Sequence, residues 1–180
     1  MTAQETDSVF YEGRKYDLIG SSRGELLFDI FKFGLKPEMI STACYRGFYC
    51  DYTLNTKGLF VRKLTVYDKS GNYPVIRSVK PEIVEDYLAV YNKPDIKIRL
   101  SGRFRIARGF MDEYYIHMGY QKPSTYRTVI DFTLSKGKLV SITDRSEEAE
   151  KIRGLYKEYY GKMHLLDKID SAFSLDMDFE

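Results

Sequence analysis

Two thiols and two imidazoles, Cys44, Cys50, His117 and His164, are the side chains in this sequence best suited to nucleophilic or metal chemistry. A structural zinc site gathers four such ligands, usually in short C-x-x-C or H-x-x-x-H spacings. None of the four stands at such a spacing. A Cys–His pair, with His117 activating Cys44 or Cys50 from a distant strand, is the remaining catalytic arrangement. Against it, free cysteines usually fill cores, and alternation along an extended segment Ala43–Leu54 places both thiols on one face with Phe48, Tyr52 and Leu54. In such a strand their Cα atoms lie roughly 20 Å apart, far beyond the limit of about 7 Å for a disulfide. Reduced thiols, no metal and no other cofactor are therefore expected.

The remaining small motifs have simpler explanations than catalysis. Gly20-Ser21-Ser22-Arg23-Gly24 precedes a helical pattern and offers backbone N–H groups to a phosphate. It lacks the Lys-Ser/Thr ending of a P-loop, and Ser22 with Glu25 reads as a capping box. Asp112-Glu113 and Glu147-Glu148 are adjacent carboxylates, which point apart on a strand or a helix and make no ready acid/base dyad.

The most informative stretch is Ile96–Gly109. Ile96, Ile98, Leu100, Phe104 and Ile106 share one parity, and Lys97, Arg99, Arg103 and Arg105 share the other. With Arg108 at the edge, this makes five positive charges without one carboxylate. A strand bent or bulged at Gly102, or a three-residue loop, preserves that parity. One face is expected to be apolar and the other basic, with Arg99 and Arg105 contributing little to stability. The basic face, Lys97, Arg99, Arg103, Arg105 and Arg108, reads either as a solvated face paired with carboxylates of a neighbouring strand or as a docking surface. Arginine forks suit carboxylate or phosphate, and tyrosines can stack beside them.

Positioning these residues requires strands. The segments Val9–Tyr11 and Tyr16–Ile19, then Ala43–Leu54 and Leu59–Tyr67, then Thr128–Leu134 and Leu139–Thr143, read as three hairpins, each joined through a glycine-containing turn. Val75-Ile76 and Tyr114–His117 read as further short strands. Helical spacing appears after Glu25 up to Gly34, over Pro81–Tyr91, and over Arg145–Tyr160 with Asp144 as cap.

The 180 residues suit one domain, 1–180, with mobile tails at 1–8 and at 167–180, where acids dominate. A net charge of +2 argues against a wholesale polyanion binder, so electrostatic partners have to be read locally. With 16 Tyr, 11 Phe and no Trp, the composition favours half-buried sheet surfaces. The start lacks a secretory pattern and no apolar run approaches a membrane span, which predicts a cytoplasmic protein.

The segment Ser41-Thr42-Ala43-Cys44-Tyr45-Arg46-Gly47-Phe48 resembles a group of small uncharacterised bacterial proteins whose motif is S-T-A-C, aromatic, R-G, aromatic. Gly58-Leu59-Phe60, Leu100-Ser101-Gly102 with Gly109, and His117-Met118-Gly119-Tyr120 extend the likeness over the middle half of the chain. Tyr45 stands where that group more often carries tryptophan. The resemblance implies a bacterial or phage origin and brings no activity and no site.

The expected fold is α+β and mainly β, an antiparallel sheet or partly closed barrel with about three short helices, the last C-terminal. The leading functional reading is a non-catalytic protein of immunity, adaptor or inhibitor type that docks an acidic protein partner on its basic, Tyr-rich sheet face. A nucleotide or single-stranded nucleic acid on the same face is the alternative, and a small hydrolase-type enzyme a more distant one.

Overall fold

Strand pairing begins at the N-terminus, where β1 (Ser8–Tyr11) and β2 (Arg14–Ser21) close a two-residue turn. Glu12 and Gly13 both take positive φ, 47° and 73°, the geometry that matches the twist of a tight hairpin. The remaining strands are β3 (Phe48–Asn55), β4 (Gly58–Tyr67), β5 (Glu82–Glu85), β6 (Leu88–Lys97), β7 (Gly102–Phe110), β8 (Tyr126–Ser135) and β9 (Lys138–Asp144). Among the described residues, three α-helices follow: α1 (Ser146–Lys151), α2 (Leu155–Lys162) and α3 (Leu165–Phe173). A computed structural model describes residues 2–22, 27–175 and 177.

The strands form one sheet in the order β5-β6-β4-β3-β1-β2-β7-β8-β9. The sheet is mixed, where an antiparallel one was expected. The β1–β2 hairpin is followed by a long connection that lays β3 along the free side of β1, and β1 and β3 then run parallel, with Ser8 opposite Asp51. The sheet is not closed, and β5 and β9 are its edges.

The inner face holds the main core. Val9, Leu18, Cys50, Tyr52, Leu64, Tyr91, Phe104, Ile106 and Phe132 are all buried there, and residues 28–35 add Phe28, Ile30 and Leu35. Phe104 and Phe132 stack with centroids 5.3 Å apart. A second, smaller core lies between β2, β7, β8 and α1, where Ala149 packs with Ile19, Ala107, Tyr126 and Val129. Strand β7 is thus buried on both faces.

Several sequence expectations change. Pro81–Tyr91, expected as a helix, is the β5–β6 hairpin. Ile83, Val84 and Tyr87 are exposed there, while Ala89 and Tyr91 enter the core. The apolar residues at helical spacing therefore serve two different strands, and ladder bonds between β4 and β6 outweigh local propensity. Of the helix expected after Glu25, residues 23–26 lie outside those described, and the described part is a 3-10 turn, Ile30–Phe33, ended by Gly34 at φ 76°. The helix expected over Arg145–Tyr160 is broken at Gly154, where φ is 87°, into α1 and α2. Tyr114–His117 is not a strand; a 3-10 turn spans Asp112–Tyr114. Val75-Ile76 contributes only an isolated bridge from Ile76 to Val79.

Both end segments contain built structure. Asp7 and Ser8 are buried. At the other end the Ala172 carbonyl accepts the Tyr120 N–H at 2.7 Å, and the Leu175 carbonyl accepts the Ser21 N–H at 2.6 Å. Among the described residues, no helix is long and apolar enough to cross a membrane.

Candidate functional site

The alternation in Ile96–Ile106 holds on its apolar side, since Ile96, Ile98, Leu100, Phe104 and Ile106 are all buried. The basic side is split. β6 and β7 are not neighbours in the sheet, so the residues of the two strands reach different surfaces. Lys97 and Arg99 remain together. Arg103 is exposed at the start of β7, where its N–H donates to Ser22 Oγ at 2.9 Å. Arg108, of opposite parity, lies over the Tyr16 ring at 5.8 Å.

Arg105 does not belong to a surface face. It is 2% exposed and donates through Nε and Nη2 to Asp131 at 2.6 and 2.9 Å. The expectation of an open basic face fails at this residue because α1 covers β7 and β8 on the side that parity assigned to solvent.

Around Lys97 and Arg99, three segments meet. Ile98 N–H donates to the Leu59 carbonyl at 2.8 Å, and Gly137 N–H donates to the Leu100 carbonyl at 2.9 Å. The segment 98–101 therefore bridges the start of β4 to the β8–β9 turn. A Cβ on Gly58 would strike the Gly137 carbonyl, and one on Gly137 would come within 2.8 Å of the Ile98 carbonyl. Only glycine permits this approach, with φ of 126° and 76° at the two positions. The Lys97 stem lies beside both glycines and carries its ammonium to 5.7 Å from the Phe60 ring centroid. Lys97, Arg99, Ser101 and Lys136 line a hollow of about 500 Å³ at this seam. Lys136 N–H donates to Ser101 Oγ at 2.8 Å, which fixes the oxygen and leaves the hydroxyl proton free to point into the hollow. None of the three cations has a carboxylate partner among the described residues.

Lys97 also ends a row across the outer face of the sheet. In register, Lys15, Phe10, Thr53, Phe60 and Lys97 stand side by side on β2, β1, β3, β4 and β6. The next row is Asp17, Ser8, Asp51, Lys63 and Asn92. Phe10 and Phe60 are half-buried. A bulge between Val61 and Lys63 turns Arg62 outward, and its guanidinium lies 4.6 Å from the Phe10 centroid. Phe10, Arg62, Lys63 and Lys93 line one hollow on this face, and Lys15, Tyr49 and Asp17 with Lys63 line the next. From Tyr49 to Asn55 the face runs roughly 20 Å along β3. Five cations, Lys15, Arg62, Lys63, Lys93 and Lys97, line it against three carboxylates, Glu5, Asp17 and Asp51. Burial raises the Asp17 carboxyl from its usual value, against the opposing pull of the Tyr126 hydroxyl and Lys15.

The residues of the S-T-A-C motif form a structural corner. Segment 43–47 is turned, where an extended strand was expected, with Cys44 N–H on the Ser41 carbonyl at 3.0 Å and Gly47 at φ 76°. A Cβ on Gly47 would overlap the Glu38 backbone. Arg46 reaches Asp7 Oδ1 at 2.5 Å and the Phe48 carbonyl at 2.7 Å. Asp7 Oδ1 also accepts the Cys50 N–H at 2.7 Å, and Oδ2 accepts the Tyr52 hydroxyl at 3.3 Å. Both cysteines are free and buried, and burial pushes both thiols up, away from the nucleophilic thiolate. His117 is exposed beside the Tyr115 ring, and His164 is exposed ahead of α3. Among the described residues, no group of three or more His, Cys, Asp or Glu is placed to hold a metal ion.

Phe10, Phe60, Arg62 and Lys136 escaped the sequence reading. Each is unremarkable alone; the pairing of β1 with β3 and of β3 with β4 brings the first three onto one face. The signal available was weak: Phe10 and Phe60 take the outward parity in strands whose other parity is apolar. No protein-family profile, curated protein or solved structure matches the chain.

Proposed function

We propose that the protein is a non-catalytic module that binds single-stranded nucleic acid along the outer face of the sheet. The observation that carries this reading is the in-register row Lys15, Phe10, Thr53, Phe60, Lys97, in which two aromatic rings each have a cation close by and no carboxylate lies between them. Bases stack on aromatic rings without regard to sequence, contributing about 1–3 kcal/mol each, while lysine and arginine neutralise the phosphates. An acidic protein partner docked on the five-residue basic face fits less well, because Arg105 is occupied by Asp131 and Arg108 stands on the opposite parity.

The test is fluorescence anisotropy with labelled single-stranded oligonucleotides, for the wild type and for Phe10→Ala with Phe60→Ala. Three or four phosphates held on this face give a slope of log K against log salt of about −2 to −3, at roughly 0.7 per phosphate for a single strand. The double variant is expected to lose at least tenfold in affinity while its circular dichroism stays unchanged. A salt-independent affinity, or full binding by a folded double variant, overturns the proposal.

A further inference from the structure

The hollow at the seam differs from the rest of the face in its charge density. Along β3 the cations are spread over several strands, about one per phosphate of a strand lying there. At the seam, Lys97, Arg99 and Lys136 line one hollow of about 500 Å³ together with the Ser101 hydroxyl, and none is partnered by a carboxylate among the described residues. Three positive charges exceed what a bridging phosphodiester, with its single negative charge, can balance. A phosphomonoester carries about 1.5 to 2 negative charges at pH 7 and three acceptor oxygens, which matches three cations and one hydroxyl donor.

The hollow is also held in shape before any ligand arrives. Its backbone frame is fixed by the Ile98–Leu59 and Gly137–Leu100 bonds and by the close approach of Gly58 to Gly137. Ser101 Oγ is oriented by the Lys136 N–H, and the Lys97 stem is confined beside the two glycines. Lys97 belongs to both places, because its ammonium also lies near the Phe60 ring. A strand stacked on Phe60 therefore runs directly into the hollow.

We infer that the hollow lined by Lys97, Arg99, Ser101 and Lys136 is a phosphomonoester site that takes the terminal phosphate of the bound strand. The identity of the phosphate's carrier rests on the single-stranded nucleic-acid reading; the oxyanion site itself does not.

The experiment compares one oligonucleotide sequence with a 5′-phosphate, a 3′-phosphate or neither, and adds inorganic phosphate alone as a second probe, followed by amide chemical shifts. The variants are Arg99→Gln with Lys136→Gln, and Arg103→Gln with Arg108→Gln as a charge-matched control away from the hollow. The expected result is that one phosphorylated end binds about 5- to 20-fold more tightly than the unphosphorylated strand. That preference disappears in the first variant and persists in the control, and inorganic phosphate shifts residues 97–101 and 136–137 in the wild type and the control but not in the first variant. Equal binding of all three oligonucleotides, with no response to inorganic phosphate, overturns the terminal-phosphate site and leaves strand binding on the outer face standing. Saturable inorganic phosphate binding lost in the first variant, with no affinity for any oligonucleotide, supports the oxyanion site and overturns the nucleic-acid reading.

Discussion

Arg105 and Asp131 stand directly opposite each other on β7 and β8, and the guanidinium closes two bonds onto the carboxylate, 2.6 and 2.9 Å long, with both side chains almost fully buried. Arg145 approaches the second carboxylate oxygen at 3.4 Å and also reaches Glu148 at 2.5 Å, which links this pair to the first turn of α1. A buried pair of this kind costs much desolvation and is recovered only by good geometry, so breaking one half is far worse than removing both.

Asp131→Ala and Arg105→Ala are each expected to destabilise the protein by about 3–5 kcal/mol, because each leaves a buried charge without its partner. The sequence placed Arg105 in solvent, where the loss would be about 0.5 kcal/mol or less. Arg105→Met with Asp131→Leu is expected to lie close to the wild type. Urea midpoints with an unchanged slope decide between the two. A near-neutral Arg105→Ala would mean that the α1-covered face is open in solution.

The apolar parity of the same segment gives a second stability test. Ile98→Ala is expected to cost roughly 2–4 kcal/mol and Phe104→Ala about 3–5 kcal/mol, since Phe104 is fully buried against Phe132. Arg99→Ala, exposed at the seam, should stay within about 0.5 kcal/mol. The readout is again the denaturation midpoint, and a reversed order would place the wrong side of the segment in the core.

That parity was legible because strand alternation depends only on sequence spacing. The three hairpins were legible for the same reason, each with a turn glycine between two β-rich runs. Pro81–Tyr91 was not, because Ile83, Val84, Tyr87 and Tyr91 fall at helical spacing while belonging to two strands. Only pairing of β6 between β4 and β5 shows which of them is core. The basic face was half legible for a related reason. Parity assigns a side within one strand, but it says nothing about which neighbour or helix covers that side, so Arg105 and Arg99 looked alike. Phe10 and Phe60 lie fifty residues apart and enter one row, on either side of Thr53, only through the parallel β1–β3 pair and the β3–β4 pair.

Asp7 gives a pH signature. Its carboxyl is buried, and the desolvation raises it above the ordinary value of 3.8 even though Arg46, the Cys50 N–H and the Tyr52 hydroxyl favour the charged form. A carboxyl raised in the folded state binds its proton more tightly there than in the unfolded chain. Its contribution to stability is therefore greatest at pH below 3.8 and falls as pH rises through the folded value. Unfolding free energies of wild type and Asp7→Asn, measured at a series of acidic pH values, should show the difference moving against the wild type as pH increases. A difference that grows in favour of the wild type would mean that Arg46 outweighs burial and holds Asp7 low.

The outer face makes a prediction that net charge alone does not. Arg62→Glu with Lys63→Glu, and Arg103→Glu with Arg108→Glu, change the charge of the protein by the same amount, but only the first pair lies beside Phe10. Charges separated by more than a Debye length, about 10 Å at 0.1 M salt, are largely screened from one another. At that ionic strength the first variant should lose single-stranded oligonucleotide binding by 50-fold or more, whereas the second should lose no more than a few-fold. Lowering the salt tenfold extends the screening length to about 30 Å and should narrow the gap between the two variants. Anisotropy titrations at both salt concentrations, with circular dichroism to check that the bulged strand β4 remains folded, provide the measurement. Equal losses at 0.1 M salt would show that binding follows total charge and that the aromatic row on the outer face has no special part in it.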